Sequence, residues 1–542
     1  MEFFHFLRRE SEENFGRLVT VAVLAGLVNA VLVMILIQAA SAADNGAASF
    51  RSFFLFGLSF GAFIYCRHFT VKRTGVLAER IITKVRARII EKIRRTNLLQ
   101  FERVGRSPVY STVVQHTLTL SQSAVLIANS FSSGIMVVFV AGIIAYVSMP
   151  AFFLTAGSIL VGIVIYRSKR SRIEATLAQA TEEENRSFDY LGHLLDGFKE
   201  IRMHSGRNED LYRNYLSPSA NETERLKIFA SDQIAFIVVL SQSYFYIVLA
   251  AIIFILPSYA QQASGSIAQV AALIVFMIGP LSEAVGCLPW LSRSTVAIAN
   301  IEKLEATLKT VEATGNLEEI RLAREPQGFS ELSCQELGFR YENGNGDTFG
   351  IGPINFNIRA GEIVFIVGGN GSGKSTFLKV LTGLYPSHRG VIQWNGRTLT
   401  AHNVIEYRSL FSTVFSDFHL FDRLYGLKDP EPNRLDSMLT EMQLEEKTRV
   451  EDGRFSTTHL STGQRKRLAL IVAQLENRPV LVFDEVAADQ DPHFRKYFYE
   501  VMLRRWQQQG KTLIVVTHDD HYFQVADRIL KMEYGAFENA PA

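Results

Sequence analysis

With 542 residues, 48% of them hydrophobic, the chain is long enough for two domains. Lysine and arginine (56) nearly balance aspartate and glutamate (54), and the net charge of +2 argues against a nucleic-acid partner. Three cysteines, Cys66, Cys287 and Cys334, build no disulfide framework and fit a reducing compartment.

In chain order, long apolar stretches recur near residues 18–40, 50–68, 124–147, 151–167, 234–256 and 267–290. On the criterion of about 20 residues per span they predict six membrane helices. Arg8, Arg9 and Arg17 before the first stretch, and Ala39-Ala40-Ser41-Ala42-Ala43 at its end, imitate a cleavable signal peptide. The stretch exceeds the apolar core of about 7–15 residues typical of such peptides, so it reads as a retained span.

Basic residues from Arg67 to Arg106 crowd the segment after the second span, and Arg167, Lys169, Arg170 and Arg172 follow the fourth. Ser148 to Pro150 and Pro257 to Ser266 contain neither lysine nor arginine, which places both termini on the cytoplasmic side. The basic runs read as solvated or lipid-facing helix surfaces. Helical patterns at Val76 to Thr96 and Ile173 to His204 lengthen the spans into the cytoplasm. Gln122, Asn129, Ser133, Gln242 and Tyr244 are polar positions within spans whose ordinary use is hydrogen bonding between helices. Glu283 is costlier to place in a membrane, and it marks a pathway, and so a cargo contact, or a charge pair. Ala299 to Glu305 continues the last span, and the polar Thr314 to Gly328 follows. The expected division is a membrane domain over 1–310, a linker over 311–330 and a second domain over 331–542.

In that second domain the apolar run Ile363 to Val367 precedes GGNGSGKST at 368–376, and Phe377, Leu378, Val380 and Leu381 follow at helical spacing. Strand, loop and helix are the context a phosphate-binding loop requires. Gly368, Asn370, Gly371, Ser372, Gly373 and Thr376 belong to a loop whose backbone N–H groups close around phosphate oxygens. Lys374 reaches the β- and γ-phosphates of ATP, and Ser375 offers a hydroxyl to Mg²⁺. The strand Val480 to Phe483 ends in Asp484, a hard oxygen ligand for the metal, then Glu485, placed to activate water. A further strand, Thr512 to Val516, ends at Thr517-His518, and His518 is a candidate γ-phosphate contact.

Leu460-Ser461-Thr462-Gly463-Gln464, between the loop and Asp484, makes residues 331–542 resemble the nucleotide-binding domain of ATP-binding-cassette (ABC) transporters. The resemblance implies an α-helical polytopic membrane domain with six spans, of the ABC-exporter type, fused to an α/β P-loop ABC ATPase domain. It implies that Ser461, Gly463 and Gln464 contact ATP held by a second subunit, hence a homodimer. It further implies that Tyr341 stacks on adenine, that Asp491 is a dimer-contacting acid, and that segments near Leu98 to Gly105 and Gly197 to Met203 are coupling helices. Where most relatives carry a glutamine this chain has Ser416, too short to span the same gap, so metal sensing is expected to pass to Asp417, a bridging water or a shifted loop.

The segment LFSTVFSDFHLFD at 410–422, the serine within it, LSTGQRKRLAL and VFDEVAADQDP together resemble the bacterial cyclic-peptide exporter family, whose cargoes include lipopeptides and peptide siderophore precursors. That resemblance implies an ATP-hydrolysing exporter in the bacterial inner membrane, surrounded by membrane lipids and carrying a peptide-like cargo. A lipid or drug exporter, and an ATP-gated channel or sensor, remain the alternatives. The first span begins almost at once, so no leader-peptide processing by this chain is expected.

Overall fold

The structure is a computed structural model describing residues 2–10, 15–44, 50–255, 264–309, 328–341, 349–427 and 432–538. The chain divides into two compact units, Met1–Arg94 with Glu102–Thr310, and Arg95–Phe101 with Val311–Ala542. Most of the expected linker, and most of the uncharged segment Pro257 to Ser266, lie outside the described residues.

The first unit is helical. Six of its helices are long and apolar enough to cross a membrane: Val19–Ala39, Phe50–Arg95, Arg106–Val147, Met149–Asp196, Ser205–Ile255 and Ile267–Leu308. The second, with 46 residues, runs about 69 Å at ~1.5 Å per residue, more than twice a ~30 Å hydrocarbon core. The second and fourth predicted spans therefore run on into polar extensions, to Arg95 and Asp196, where Gly197 ends the fourth short of His204, and the sixth is interrupted at Cys287. A short helix, Glu2–Glu10, buries Phe3 and Phe6 against Ala78, Ile81 and Val85. Its Glu10, 5% exposed, accepts from Arg88 Nη1 at 2.6 Å, while Arg88 Nε donates to Glu305 Oε1 at 2.7 Å. These ion pairs tie the N-terminal helix, the second long helix and the last helix together.

Glu283 is paired. Arg67 Nη2 lies 3.4 Å from Glu283 Oε1, Ser133 Oγ donates to Oε2 at 2.5 Å, and Ser130 Oγ donates to the Glu283 carbonyl at 2.8 Å. Gln242 Nε2 donates to Ser282 Oγ at 3.3 Å, so two of the polar span residues, Ser133 and Gln242, serve as interhelical bonds.

In the second unit, Asn97 caps the short helix Leu98–Val104 by accepting from the Gln100 amide at 2.8 Å, and Leu99 is buried in this unit's core. Strands β1 (Glu331–Arg340), β2 (Gly350–Arg359), β4 (Arg389–Trp394) and β5 (Arg397–Thr398) form an antiparallel sheet in the order β2-β1-β4-β5. The larger sheet contains β3 (Ile363–Val367), β6 (Phe411–Val414), β9 (Val480–Asp484), β10 (Thr512–Val516), β11 (Arg528–Glu533) and β12 (Ala536–Phe537), in the order β12-β11-β3-β10-β9-β6. A small hairpin joins β7 (Val450–Glu451) to β8 (Arg454–Phe455).

The central strands read as continuous apolar runs because both sheet faces are covered. Along β3, Ile363 and Phe365 enter one core while Val364 and Ile366 enter the other, the period-two alternation of a strand. Each fully buried aliphatic or aromatic side chain there contributes about 1.5–3 kcal/mol. That rigidity holds the loops at the strand ends in place.

Candidate functional site

Four neighbouring strands deliver the site from their carboxyl ends. In sheet order β3, β10, β9 and β6 are all parallel, so the phosphate-binding loop, His518, the Asp484-Glu485 pair and Ser416 emerge side by side at one edge. The loop turns into the helix Lys374–Leu381 through Gly373 at φ 105°, where a Cβ would also meet Ile351 Cγ2 at 2.8 Å. Only glycine fits that turn. Asn370 and Gly371 are exposed on the loop, whereas Ser372 is buried with its Oγ unpaired. Lys374, 6% exposed, donates to the Gly368 and Gly369 carbonyls at 2.9 and 3.0 Å. Burial is the largest influence on its ammonium and lowers its pKa, with Glu485 and Asp484 opposing. An anion in the loop restores the charged form.

Asp484 is 1% exposed. Its Oδ2 accepts from Ser375 Oγ at 2.9 Å and from Ser416 Oγ at 3.2 Å, while Oδ1 is buried with no hydrogen bond. Burial pushes this carboxyl up, the two serine hydroxyls oppose it, and Glu485 adds to it. An orphaned carboxylate oxygen beside serine hydroxyls is a hard-donor set that fits Mg²⁺ completed by phosphate oxygens and water. Among the described residues no cluster of three or more histidine, cysteine, aspartate or glutamate side chains could hold a metal by itself.

At the position of the missing glutamine, Ser416 meets this carboxylate. Ser416 reaches Asp484 because β6 lies directly beside β9 and brings the serine to the strand end. Asp417 is exposed and makes no hydrogen bond or ion pair among the described residues.

Glu485 takes a positive φ of 52°, uncommon for a residue with a side chain, and its Oε1 lies 3.1 Å from His518 Nε2. Its amide donates to the Val516 carbonyl at 3.1 Å. The carboxylate, next in sequence to Asp484 and paired with the histidine, is partly exposed and open to water.

Ser461 caps the helix Thr462–Glu476: its Oγ accepts from the Gln464 amide, and Gln464 Oε1 accepts from the Ser461 amide at 3.1 Å. The side chain of Gln464 is therefore committed to the capping box, leaving the helix N-terminus and its dipole presented to anions. A Cβ at Gly463 would lie 2.8 Å from the Asp489 carbonyl oxygen, and Gln490 Nε2 donates to the Gly463 carbonyl at 3.0 Å. Asp491 is also satisfied within its own chain, where it caps the helix Pro492–Tyr497 through the His493 and Phe494 amides and pairs with buried Arg467. The amide of Phe494 foremost, then Arg467 and the His493 amide, hold its carboxyl below the usual aspartate range.

Sequence reasoning missed Lys466 and Arg467, which are 4% and 8% exposed. Lys466 Nζ donates to the Glu485 carbonyl, and Arg467 Nε donates to Gln490 Oε1. A signal was present: Lys466 and Arg467 lie four and three residues before buried Leu470, on the helix face that enters the core. Tyr341 is half-buried, its ring 5.0 Å from Phe339 and its hydroxyl 3.5 Å from Thr376 Oγ1, an aromatic surface beside the loop helix. Residues 342–348 lie outside the described residues.

The ABC transporter family profile matches residues 351–488, the stretch from β2 through Glu485. The ATP-binding protein SyrD of Pseudomonas syringae pv. syringae is 30% identical over 470 residues, covering 84% of this chain and 82% of that protein. The ATP-dependent lipid A-core flippase of Coxiella burnetii is 23% identical over 478 residues, 85% of this chain and 78% of its own. Among solved structures, a bacterial Atm1-family ABC exporter with ATP bound superposes with a TM-score of 0.78 over 98% of this chain and 95% of that one, at 15% identity, a likeness of fold.

Proposed function

The chain belongs to the ABC transporter family, in which ATP hydrolysis is coupled to transport across a membrane, and from that membership we propose that it is one half of a homodimer that exports a peptide-type cargo from the cytoplasm across the bacterial inner membrane. The cargo class is a cyclic peptide, a lipopeptide or a peptide siderophore precursor. The observation that carries the active-pump reading is the convergence of Ser375 and Ser416 on Asp484 beside the Glu485–His518 pair.

In this reading the loop from Gly368 to Thr376 and Lys374 bind the ATP phosphates, and Tyr341 supports the adenine. Ser375 and Asp484 would hold Mg²⁺, which would supply positive charge against the phosphates. Glu485 takes a proton from the attacking water while His518 orients the carboxylate and contacts the γ-phosphate. Ser461 and Gly463 contact the nucleotide of the second subunit. Two nucleotides between two ATPases then favour the closed state, and moving such an equilibrium from 1:99 to 99:1 requires about 5.5 kcal/mol of differential binding.

The lipid reading has one observation of its own, the likeness to a lipid A-core flippase over most of the chain. Inside-out vesicles carrying the protein separate the readings. Uptake of a cyclic or acylated peptide that requires hydrolysable ATP supports the proposal. ATP-dependent movement of a labelled lipid with no peptide uptake supports the flippase, and bidirectional flux with ATP merely bound supports a channel.

A further inference from the structure

His518 is exposed, and among the described residues its imidazole hydrogen-bonds only with Glu485. A ring with one side-chain partner takes its position from its backbone, and the residues on either side hold that backbone. The Thr517 amide donates to the Ile366 carbonyl of β3 at 3.1 Å, and Thr517 Oγ1 accepts from the Asp519 amide at 3.0 Å. The buried Tyr499 hydroxyl donates to Asp519 Oδ2 at 2.9 Å and lies 2.6 Å from Thr517 Oγ1. Burial pushes the Tyr499 phenol up, so it stays a donor at neutral pH, and the carboxylate accepts.

Arg495 takes the other oxygen of Asp519. It stands four residues before Tyr499, on the same face of the helix that runs from Pro492 through Met502. Arg495 Nη1 donates to Asp519 Oδ1 at 3.5 Å, and Nη2 donates to the Ala488 and Gln490 carbonyls at 3.3 and 3.2 Å. One guanidinium therefore spans the segment that follows Glu485 and the residue that follows His518. Its Nε is buried without a hydrogen bond, a costly arrangement. An arginine serving only to cover surface would lay its stem down and keep the guanidinium in water. A planar fork is also what three separate acceptors require, where a lysine offers a single point charge.

We propose that Arg495 is a positioning residue for ATP hydrolysis: its guanidinium joins the segment Ala488 to Asp491 to the Asp519 carboxylate, and so sets His518 against Glu485. The inference rests on the hydrolytic reading above, in which His518 orients the Glu485 carboxylate. All the bonds of Arg495 go to protein groups, so it acts through Asp519 and the backbone of His518. Tyr499 alone would leave the carboxylate of Asp519 held by one oxygen and able to turn; Arg495 fixes the second. Asp491, at the far end of the segment, caps the same helix that bears Arg495, so the segment, the helix and the residue after His518 move together. Loss of Arg495 should leave ATP binding intact and slow its hydrolysis.

The test is steady-state ATPase kinetics on the full-length protein in lipid nanodiscs. Arg495→Met is expected to lower kcat about tenfold with KM changed by less than about twofold, and Asp519→Asn to lower kcat about threefold. Lys496→Met, at the next residue and exposed, should turn over as the parent does. His518→Ala removes the group through which Arg495 acts, so adding Arg495→Met to it should slow turnover by less than about twofold more. The inference is overturned if Arg495→Met, eluting as the parent, keeps the parental kcat, or if it slows the His518→Ala enzyme by the same factor as the parent. Should Arg495→Met fail to fold, Asp519→Asn takes its place in the same cycle, and a parental kcat or an undiminished loss beside His518→Ala is the overturning result. Should His518→Ala leave no measurable turnover, the two flanking variants decide: a double variant no slower than Arg495→Met supports the link, and a loss equal to the product of the two overturns it. A strong loss in His518→Ala with none in Arg495→Met removes this inference alone, whereas a parent without ATPase activity, or a His518→Ala enzyme as fast as the parent, removes the hydrolytic reading of the site with it.

Discussion

Lys466 Nζ donates a 2.8 Å hydrogen bond to the backbone carbonyl oxygen of Glu485, joining the helix Thr462–Glu476 to the candidate general base. The same ammonium pairs with Asp489 Oδ2 at 2.6 Å. Glu485 sits at φ 52°, a conformation that costs about 1–3 kcal/mol for a residue with a side chain and persists only where its surroundings impose it. Lys466 is one of those impositions.

Removing the donor should therefore misplace the carboxylate without touching the nucleotide. Lys466→Met is expected to lower kcat for ATP about tenfold while KM changes by less than about twofold, and Lys466→Arg to restore most of the rate. Steady-state ATPase kinetics check both. A Lys466→Met variant with a lower Tm and an unaltered kcat would show the contact to be structural only.

Glu485→Gln keeps the shape of the site but loses the base. Turnover should fall about 10²–10⁴-fold while ATP binding persists, so that closed dimers accumulate in ATP and can be counted by size-exclusion chromatography. ATPase activity close to that of the parent would remove Glu485 from the role.

At the strand end after β6, the geometry favours Ser416 over its neighbour. Ser416 Oγ donates to Asp484 Oδ2, and Asp417 is exposed. Ser416→Ala is expected to weaken the apparent Mg²⁺ affinity of ATP turnover roughly tenfold, by about 1.5 kcal/mol for one hydrogen bond to a charged group, with Asp417→Asn near neutral. A Mg²⁺ titration of the two variants decides. The opposite ranking would return the role to Asp417.

The phosphate-binding loop, Asp484, Glu485 and His518 were legible in the sequence because each sits at the end of a short apolar run, and parallel strands must bring such ends to one edge. The six spans were legible because lipid demands long uninterrupted apolar helices. The contact of Ser416 with Asp484 was not legible, because it depends on the register of β6 against β9, which side-chain length alone does not reveal. Lys466 was missed because its charge suggests solvent, and only the packed helix shows it turned inward. Asp491 and Gln464 were assigned to a second subunit by motif, although caps and an ion pair within the chain already occupy their side chains. Such intrachain partners depend on tertiary neighbours that no spacing rule records.

Asp484 carries a stability cost that depends on pH. Its folded pKa is raised, mainly by burial, so the ionised form is disfavoured in the folded state. Below the unfolded value the group is protonated in both states and costs nothing. The cost grows as pH rises from the unfolded value to the folded one, and it is complete above that. Asp484→Asn should therefore raise the Tm of the nucleotide-free protein at neutral pH by a few degrees, about 1 kcal/mol, while abolishing Mg²⁺-dependent turnover. The gain should shrink as pH falls through the raised pKa. Thermal unfolding across that range checks the sign, and an equal gain at every pH would remove ionisation as the cause.

Glu283 and Arg67 offer a choice between a charge pair and a cargo contact. The side chains are 42% and 32% exposed and 3.4 Å apart, and Ser133 supports the carboxylate from a third helix. A pair this open is worth little by itself, about 0.2–1 kcal/mol. Its loss should still register as coupling, because each single change leaves the other charge without its partner. Glu283→Gln and Arg67→Met are expected to lower the Tm individually, and the double variant to fall short of their sum by about 0.5 kcal/mol, the coupling of residues in contact. If the pair is the whole role, cargo-stimulated ATPase should follow stability through all three variants. If Glu283 also meets cargo, Glu283→Gln should reduce stimulation with Arg67 present or absent, while Arg67→Met alone leaves it intact. Measuring Tm and stimulated ATPase on the same four proteins separates the two, and additive Tm changes would dissolve the pair itself.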